Sequence, residues 1–112
     1  MKTEVIVGLL LGLALAVGSL MPGSPMPEVA QGDKLMHLLG YGVLAAWWAG
    51  CFPARYGRTL LACSTYGVLI ECLQAMTPYR SFDPLDMLAN ALGALLGVSI
   101  ALAVRRMLPR LS

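Results

Sequence analysis

Four apolar runs, each about as long as the hydrocarbon core of a bilayer is thick, fill most of this 112-residue chain. A spanning helix needs about 20 mostly apolar residues, with a range of about 17–25. Residues 5–21 carry no charge, 35–52 contain only His37, 59–76 contain Glu71, and 87–104 contain Asn90. The stretches between them, 22–34, 53–58 and 77–86, collect the Pro, Gly and charged residues that interrupt helices. Only 12 % of the chain is charged and 58 % is hydrophobic, against about 25 % charged in a soluble domain. A small water-soluble globule needs polar surface over most of its area, so a soluble enzyme, a disordered chain and a disulfide scaffold are excluded. The expected fold is all-α: an integral membrane four-helix bundle, one domain over residues 1–112. A net charge of +2 does not argue for nucleic acid as a partner; the lipid bilayer is the expected one. No spacing in the chain encodes an oligomeric state.

The first run has features of a signal peptide, with Lys2 ahead of it and small residues at Ala14, Ala16 and Gly18. It is long for the apolar part of such a peptide, and residues 1–4 carry no net side-chain charge, so it is read as an uncleaved helix. With four spans, both termini and the middle connection share one side. That side holds Lys2, Arg55, Arg58, Arg105, Arg106 and Arg110, and the other holds Lys34 and Arg80. The positive-inside rule then places both termini in the cytoplasm. The location expected is the bacterial cytoplasmic (inner) membrane, multi-pass. The polar residues Asp33, Lys34, His37, Glu71, Gln74, Arg80, Asp83, Asp86 and Asn90 all fall at the opposite, outward end.

Residues three or four apart share a helix face. Asp33, His37 and Tyr41 are spaced in this way on the second helix and its lead-in. Ser64, Gly67, Glu71, Gln74 and Pro78 are so spaced on the third, and Asp83, Asp86, Asn90, Gly93 and Gly97 on the fourth. Polar stripes in hydrocarbon turn toward one another, because ionisable groups at membrane depth seek partners. Two further stripes are made of small residues: Gly8, Gly12 and Ala16, and Ala89, Gly93, Gly97 and Ala101. Such faces let helices approach closely.

Glu71 constrains function most. It lies roughly 7–8 Å below the outer end of its run at 1.5 Å per residue. A carboxylate at the centre of a span costs about 2.5–3.5 kcal/mol on insertion scales. The groups that offset such a cost here are Arg80, Lys34, His37, a bound cation or a proton. One reading is an ion pair that orders the bundle; the favoured one is a working acid, base or ligand. Asp33, one turn before His37, is the expected orienting carboxylate for its ring. Asp83 before Pro84 reads as a helix cap, and Asp86 as a first-turn acid favoured by the helix dipole. Neither explains Arg80, a natural binder of an anionic headgroup.

Trp47, Trp48 and Tyr56 read as an interfacial belt, and Cys51, Cys63 and Cys72 as free buried thiols. No cofactor and no metal is assigned, because no known metal-ligand spacing is present. A divalent cation among Asp33, His37, Glu71 and Asp86 is the weaker alternative.

Two blocks, Asp33-Lys34-x2-His37-x3-Tyr41 and Glu71-x2-Gln74-x3-Pro78-x-Arg80-x2-Asp83-x2-Asp86-x3-Asn90-x2-Gly93-x3-Gly97, carry a family resemblance. The chain resembles the VanZ-like family of small bacterial membrane proteins, named after a protein associated with teicoplanin resistance. The resemblance implies a place in the cell envelope and a link to glycopeptide tolerance, and no particular reaction. The expected function is an outward-facing site that binds or acts on a lipid-linked anionic envelope component. Glu71, His37 and Asp86 are the candidate catalytic groups, and Asp33, Lys34, Tyr41, Gln74, Arg80, Asp83 and Asn90 the candidate ligand-binding groups. The competing reading is a noncatalytic module whose polar cluster braces the helices and acts through a partner. An ion-coupled transporter is less favoured, because the polar residues stop in the outer half.

Overall fold

A computed structural model of the chain describes residues 2–21, 30–78 and 84–108, with side chains from residue 34 onward in the second stretch. The described residues form four helices: α1 (Lys2–Leu20), α2 (Ala30–Cys51), α3 (Tyr56–Ala75) and α4 (Pro84–Met107). The all-α expectation is met. Each helix starts before its apolar run: at Lys2 rather than 5, Ala30 rather than 35, Tyr56 rather than 59 and Pro84 rather than 87. Apolarity marks what can sit in hydrocarbon. The hydrogen-bond ladder runs on through Lys34 and Asp86, and Pro84 suits a first turn, where its missing N–H is not needed. Between α2 and α3 the chain reverses within a few residues. Ala54 takes a positive φ of 74°, and Arg55 N–H donates to the Phe52 carbonyl at 3.2 Å. The end of α3 closes ahead of Pro78, as Met76 N–H donates to Leu73 O at 3.1 Å and Thr77 N–H to Gln74 O at 3.0 Å.

The central contact is between α2 and α4. A Cβ at Gly93 would fall on the Leu38 carbonyl, and one at Gly97 on the Gly42 carbonyl. The two backbones therefore touch with no side chain between them, as small-residue faces permit. The pairs 38/93 and 42/97 rise together, so α2 and α4 are parallel. α3 packs antiparallel on α4, where a Cβ at Gly67 would lie 2.9 Å from Asn90 Cβ.

α1 packs on α2 and α3 and, among the described residues, not on α4. Its small stripe receives rings rather than a backbone. Gly8 seats Trp48, whose Cε2 would be 2.5 Å from an added Cβ, and Gly12 faces the Tyr66 hydroxyl. Side chains of α2 and α3 then donate to α1 carbonyls: Trp47 Nε1 to Glu4 O at 2.8 Å, Tyr66 Oη to Gly12 O at 2.5 Å, and Gln74 Nε2 to Ser19 O at 2.7 Å. Trp48 also stacks on Phe52, with centroids 5.8 Å apart. Expected as an interfacial belt, both tryptophans contact α1 and so fasten it to α2. Contacts 8/48 and 15/40 run antiparallel, and 12/66 and 19/74 run parallel. The bundle is thus up-down-up-down. The C-terminal ends of α1 and α3 meet the N-terminal ends of α2 and α4.

The interior is small and mixed. Tyr41, Leu44, Ala45, Ala49, Cys63, Ala94 and Val98 form one cluster, continued by buried His37, Glu71, Gln74, Asp86 and Asn90. The exterior carries the large aliphatics, among them Leu9, Leu13, Leu61, Leu96 and Ile100. Among the described residues the exterior is largely aliphatic, and the interior turns polar at one end. Helices α1 and α4 are long and apolar enough to cross a membrane, each with a mean hydropathy of 2.1. The sequence reading expects four such helices; α2 and α3, at 22 and 20 residues, match in length and fall short in apolarity. Several of their polar residues, His37, Thr59, Glu71 and Gln74, are turned inward. Of the cysteines expected to be buried, Cys63 is, Cys51 is half-buried and Cys72 is exposed on the aliphatic exterior.

Gly93→Ala and Gly97→Ala each place a methyl group on a backbone carbonyl of α2, so each is expected to lower the unfolding midpoint in detergent. Gly50→Ala, with open space around it, is expected to leave that midpoint unchanged or to raise it, since Ala is favoured over Gly inside a helix by about 0.5–1 kcal/mol. Identical midpoints for all three variants would contradict the α2–α4 contact.

Candidate functional site

The helix ends at the α4 N-terminus hold a buried polar cluster. Tyr41 follows His37 by one turn on α2, Gln74 follows Glu71 on α3, and Asn90 follows Asp86 on α4. All six are buried, and Glu71 is 0 % exposed. The glycine contact between α2 and α4 sets the geometry. With the backbones touching at Leu38 and Gly93, His37 lies directly over the first two turns of α4. Its Nδ1 is 2.8 Å from Asn90 Oδ1, and its Nε2 is 3.8 Å from Asp86 Oδ2.

An amide oxygen only accepts, so Nδ1 is the protonated nitrogen and donates to Asn90. In the neutral ring, Nε2 then presents a lone pair toward Asp86. Glu71 joins from α3: one donor atom each from His37, Glu71 and Asp86 lie within 4.8 Å of one another. Lys34 Nζ is 3.5 Å from Asp86 Oδ1 and sits at the rim, with its side chain 30 % exposed. Asp86 is in the first turn of α4, where the helix dipole favours a negative charge. Two buried carboxylates this close to each other need positive charge or a shared proton. Lys34 supplies one charge at the rim. The three donors lie close enough together to hold a metal ion.

Two more buried atoms, the Tyr41 hydroxyl and Asn90 Nδ2, have no hydrogen-bond partner among the described residues. The Tyr41 ring lies 6.3 Å from that of Tyr66, centroid to centroid. The Gln74 amide nitrogen donates to the Ser19 carbonyl of α1. Asn90 orients the His37 ring at Nδ1. The side chain of Asp33, and all of Arg80 and Asp83, lie outside the described residues.

The chain matches the VanZ/LLP1 family over residues 6–105. It belongs to the VanZ-like family. No curated protein and no solved structure matches it. The matched stretch of this VanZ-like chain contains every residue of the buried cluster.

The VanZ-like bundle also has a cleft that the sequence did not announce. It lies between α1, α2 and α3, has a volume of about 520 Å³, and is lined by Gly8, Gly12, Trp48 and Tyr66. Arg55 and Arg58, read from the sequence only as orientation signals, belong to its wall. The missed signal was the Gly8–Gly12 spacing: two absent side chains on α1 leave room as readily as they permit contact.

Proposed function

We propose that this VanZ-like protein is a multi-pass protein of the bacterial cytoplasmic membrane, with both termini inside. Its polar pocket would open to the extracytoplasmic side and bind or act on a lipid-linked anionic component of the envelope. The observation that carries this reading is the buried His37–Glu71–Asp86 cluster with Lys34 at its rim, built where three helices end together. The aliphatic exterior and the apolar α1 and α4 support insertion. Six basic residues at the opposite end, against Lys34 and Arg80 at this one, support the orientation. In this reading Glu71 or His37 is the general base, Asp86 tunes the ring, and Lys34 with Arg80 clamps the anion. Glycopeptide tolerance, teicoplanin in particular, would follow from an action on that component outside the membrane.

The bond from Gln74 to the Ser19 carbonyl favours a second reading for part of the cluster, in which polar side chains brace the helices and a partner carries the function. Expression of Glu71→Gln, Asp86→Asn and Arg80→Lys in a glycopeptide-sensitive host separates the two. The site reading expects teicoplanin susceptibility to return to the level of the empty vector, with membrane abundance as in wild type. Tolerance and abundance lost together would favour the brace. Wild-type tolerance in all three variants would overturn both.

Orientation is tested in a cysteine-free background (Cys51, Cys63 and Cys72 each →Ala) with one cysteine restored at Ser24, Ser81 or Ser112. A membrane-impermeant maleimide on intact spheroplasts is expected to label the first two and not the third. The reverse pattern would put the pocket in the cytosol.

A further inference from the structure

We infer that His37, Glu71 and Asp86 form a site for one divalent transition-metal ion, Zn2+ or Mn2+, bound through His37 Nε2 and an oxygen of each carboxylate. The inference deepens the reading of this pocket by making His37, Glu71 and Asp86 ligands in place of free acid and base groups, and its readout is independent of any envelope phenotype.

Four features of the pocket carry it. The first is convergence: three donors from three different helices lie within 4.8 Å of one another. A metal with ligand bonds of about 2.0–2.2 Å holds its donors roughly 3–4 Å apart, a spacing that His37 Nε2 and Asp86 Oδ2 already have at 3.8 Å. Small side-chain rotations bring in the third. The second is orientation. Metal-bound histidine donates its other ring N–H to a fixed oxygen, which sets the tautomer and aims the lone pair. His37 Nδ1 does this to Asn90 Oδ1 at 2.8 Å, and Asn90 is itself buried. The nitrogen left to bind is the one that faces the carboxylates.

The third feature is charge. Two buried carboxylates stand beside the His37 ring among the described residues; a divalent ion compensates them and gives an anion a positive centre to approach. The fourth is what remains around it. Tyr41 Oη and Asn90 Nδ2 are buried donors with no partner among the described residues, suited to a metal-bound water or to an anion oxygen. The mixed imidazole and carboxylate set favours Zn2+ or Mn2+ over Ca2+ and Mg2+, which take oxygen ligands.

The test uses the full chain, purified in detergent in the cysteine-free background so that thiols do not bind the probe. After chelator treatment, Zn2+ or Mn2+ is titrated by calorimetry, and metal content is measured by elemental analysis. A single ion per chain is expected. Affinity should fall at least about tenfold in Glu71→Gln and in Asp86→Asn, and more modestly in Asn90→Ala, the scale of loss seen when supporting groups around a metal are removed. Circular dichroism confirms that the variants fold. Should they not, pulsed electron paramagnetic resonance of Mn2+ on the wild type decides, because coupling to a histidine nitrogen is expected and vanishes in His37→Gln. No ion bound by folded wild type, or undiminished binding in the folded Glu71→Gln/Asp86→Asn double variant, would overturn the metal site. If those carboxylate variants still lose tolerance, the reading of the pocket stands without the metal.

Discussion

Everything at the polar end depends on two backbones meeting without side chains between them. Gly93 and Gly97 place α4 against the carbonyls of Leu38 and Gly42. Association between helices in lipid has no hydrophobic driving force of the aqueous kind and rests on packing and hydrogen bonds. A contact this close serves both, because it brings the first turns of α4 within hydrogen-bond reach of an imidazole on α2. A methyl group at either glycine would push the helices apart, and the 2.8 Å contact between His37 and Asn90 would be lost along with the approach of His37 to Asp86. Position Gly67 does the same for α3, bringing Glu71 to the cluster.

The inverted distribution of polarity follows from the same packing. Fourteen charged residues are too few to cover the bundle, and two of them, Glu71 and Asp86, are spent inside it. Burying a carboxylate costs free energy unless charge or hydrogen bonds compensate it. That these groups lie beside one another, with Lys34 at the rim and an oriented imidazole between them, is the physical ground for treating the end as a site. α1 stands apart from this. It completes the enclosure and is held by side chains of its neighbours, with no ionisable group of its own in the cluster.

Much of this was legible because helical spacing converts directly into faces. His37 with Tyr41, Glu71 with Gln74, and Asp86 with Asn90 each sit three or four residues apart, and each pair is buried on one inward face. Which partner each residue takes was not legible in the same way. The ring nitrogen Nδ1 of His37 pairs with Asn90, 53 residues away, and no sequence spacing announces such a partner. Gln74, Tyr66 and Trp47 donate to backbone carbonyls of α1, and every residue has a carbonyl, so no residue type marks the acceptor. Gly8 and Gly12 read as a helix-contact stripe and instead border rings and a cleft. Absent side chains specify room, and what enters it depends on the neighbouring helices.

The central claim is that three helix ends bring His37, Glu71 and Asp86 into one pocket. Magic-angle-spinning nuclear magnetic resonance of 13C,15N-labelled protein in lipid bilayers tests it most directly, through contacts from the His37 ring nitrogens to the Glu71 and Asp86 carboxyl carbons. The account predicts that both contacts are present, as donor atoms within 4.8 Å require. A Glu71 carboxyl in contact with acyl-chain protons, and with neither His37 nor Asp86, would contradict it.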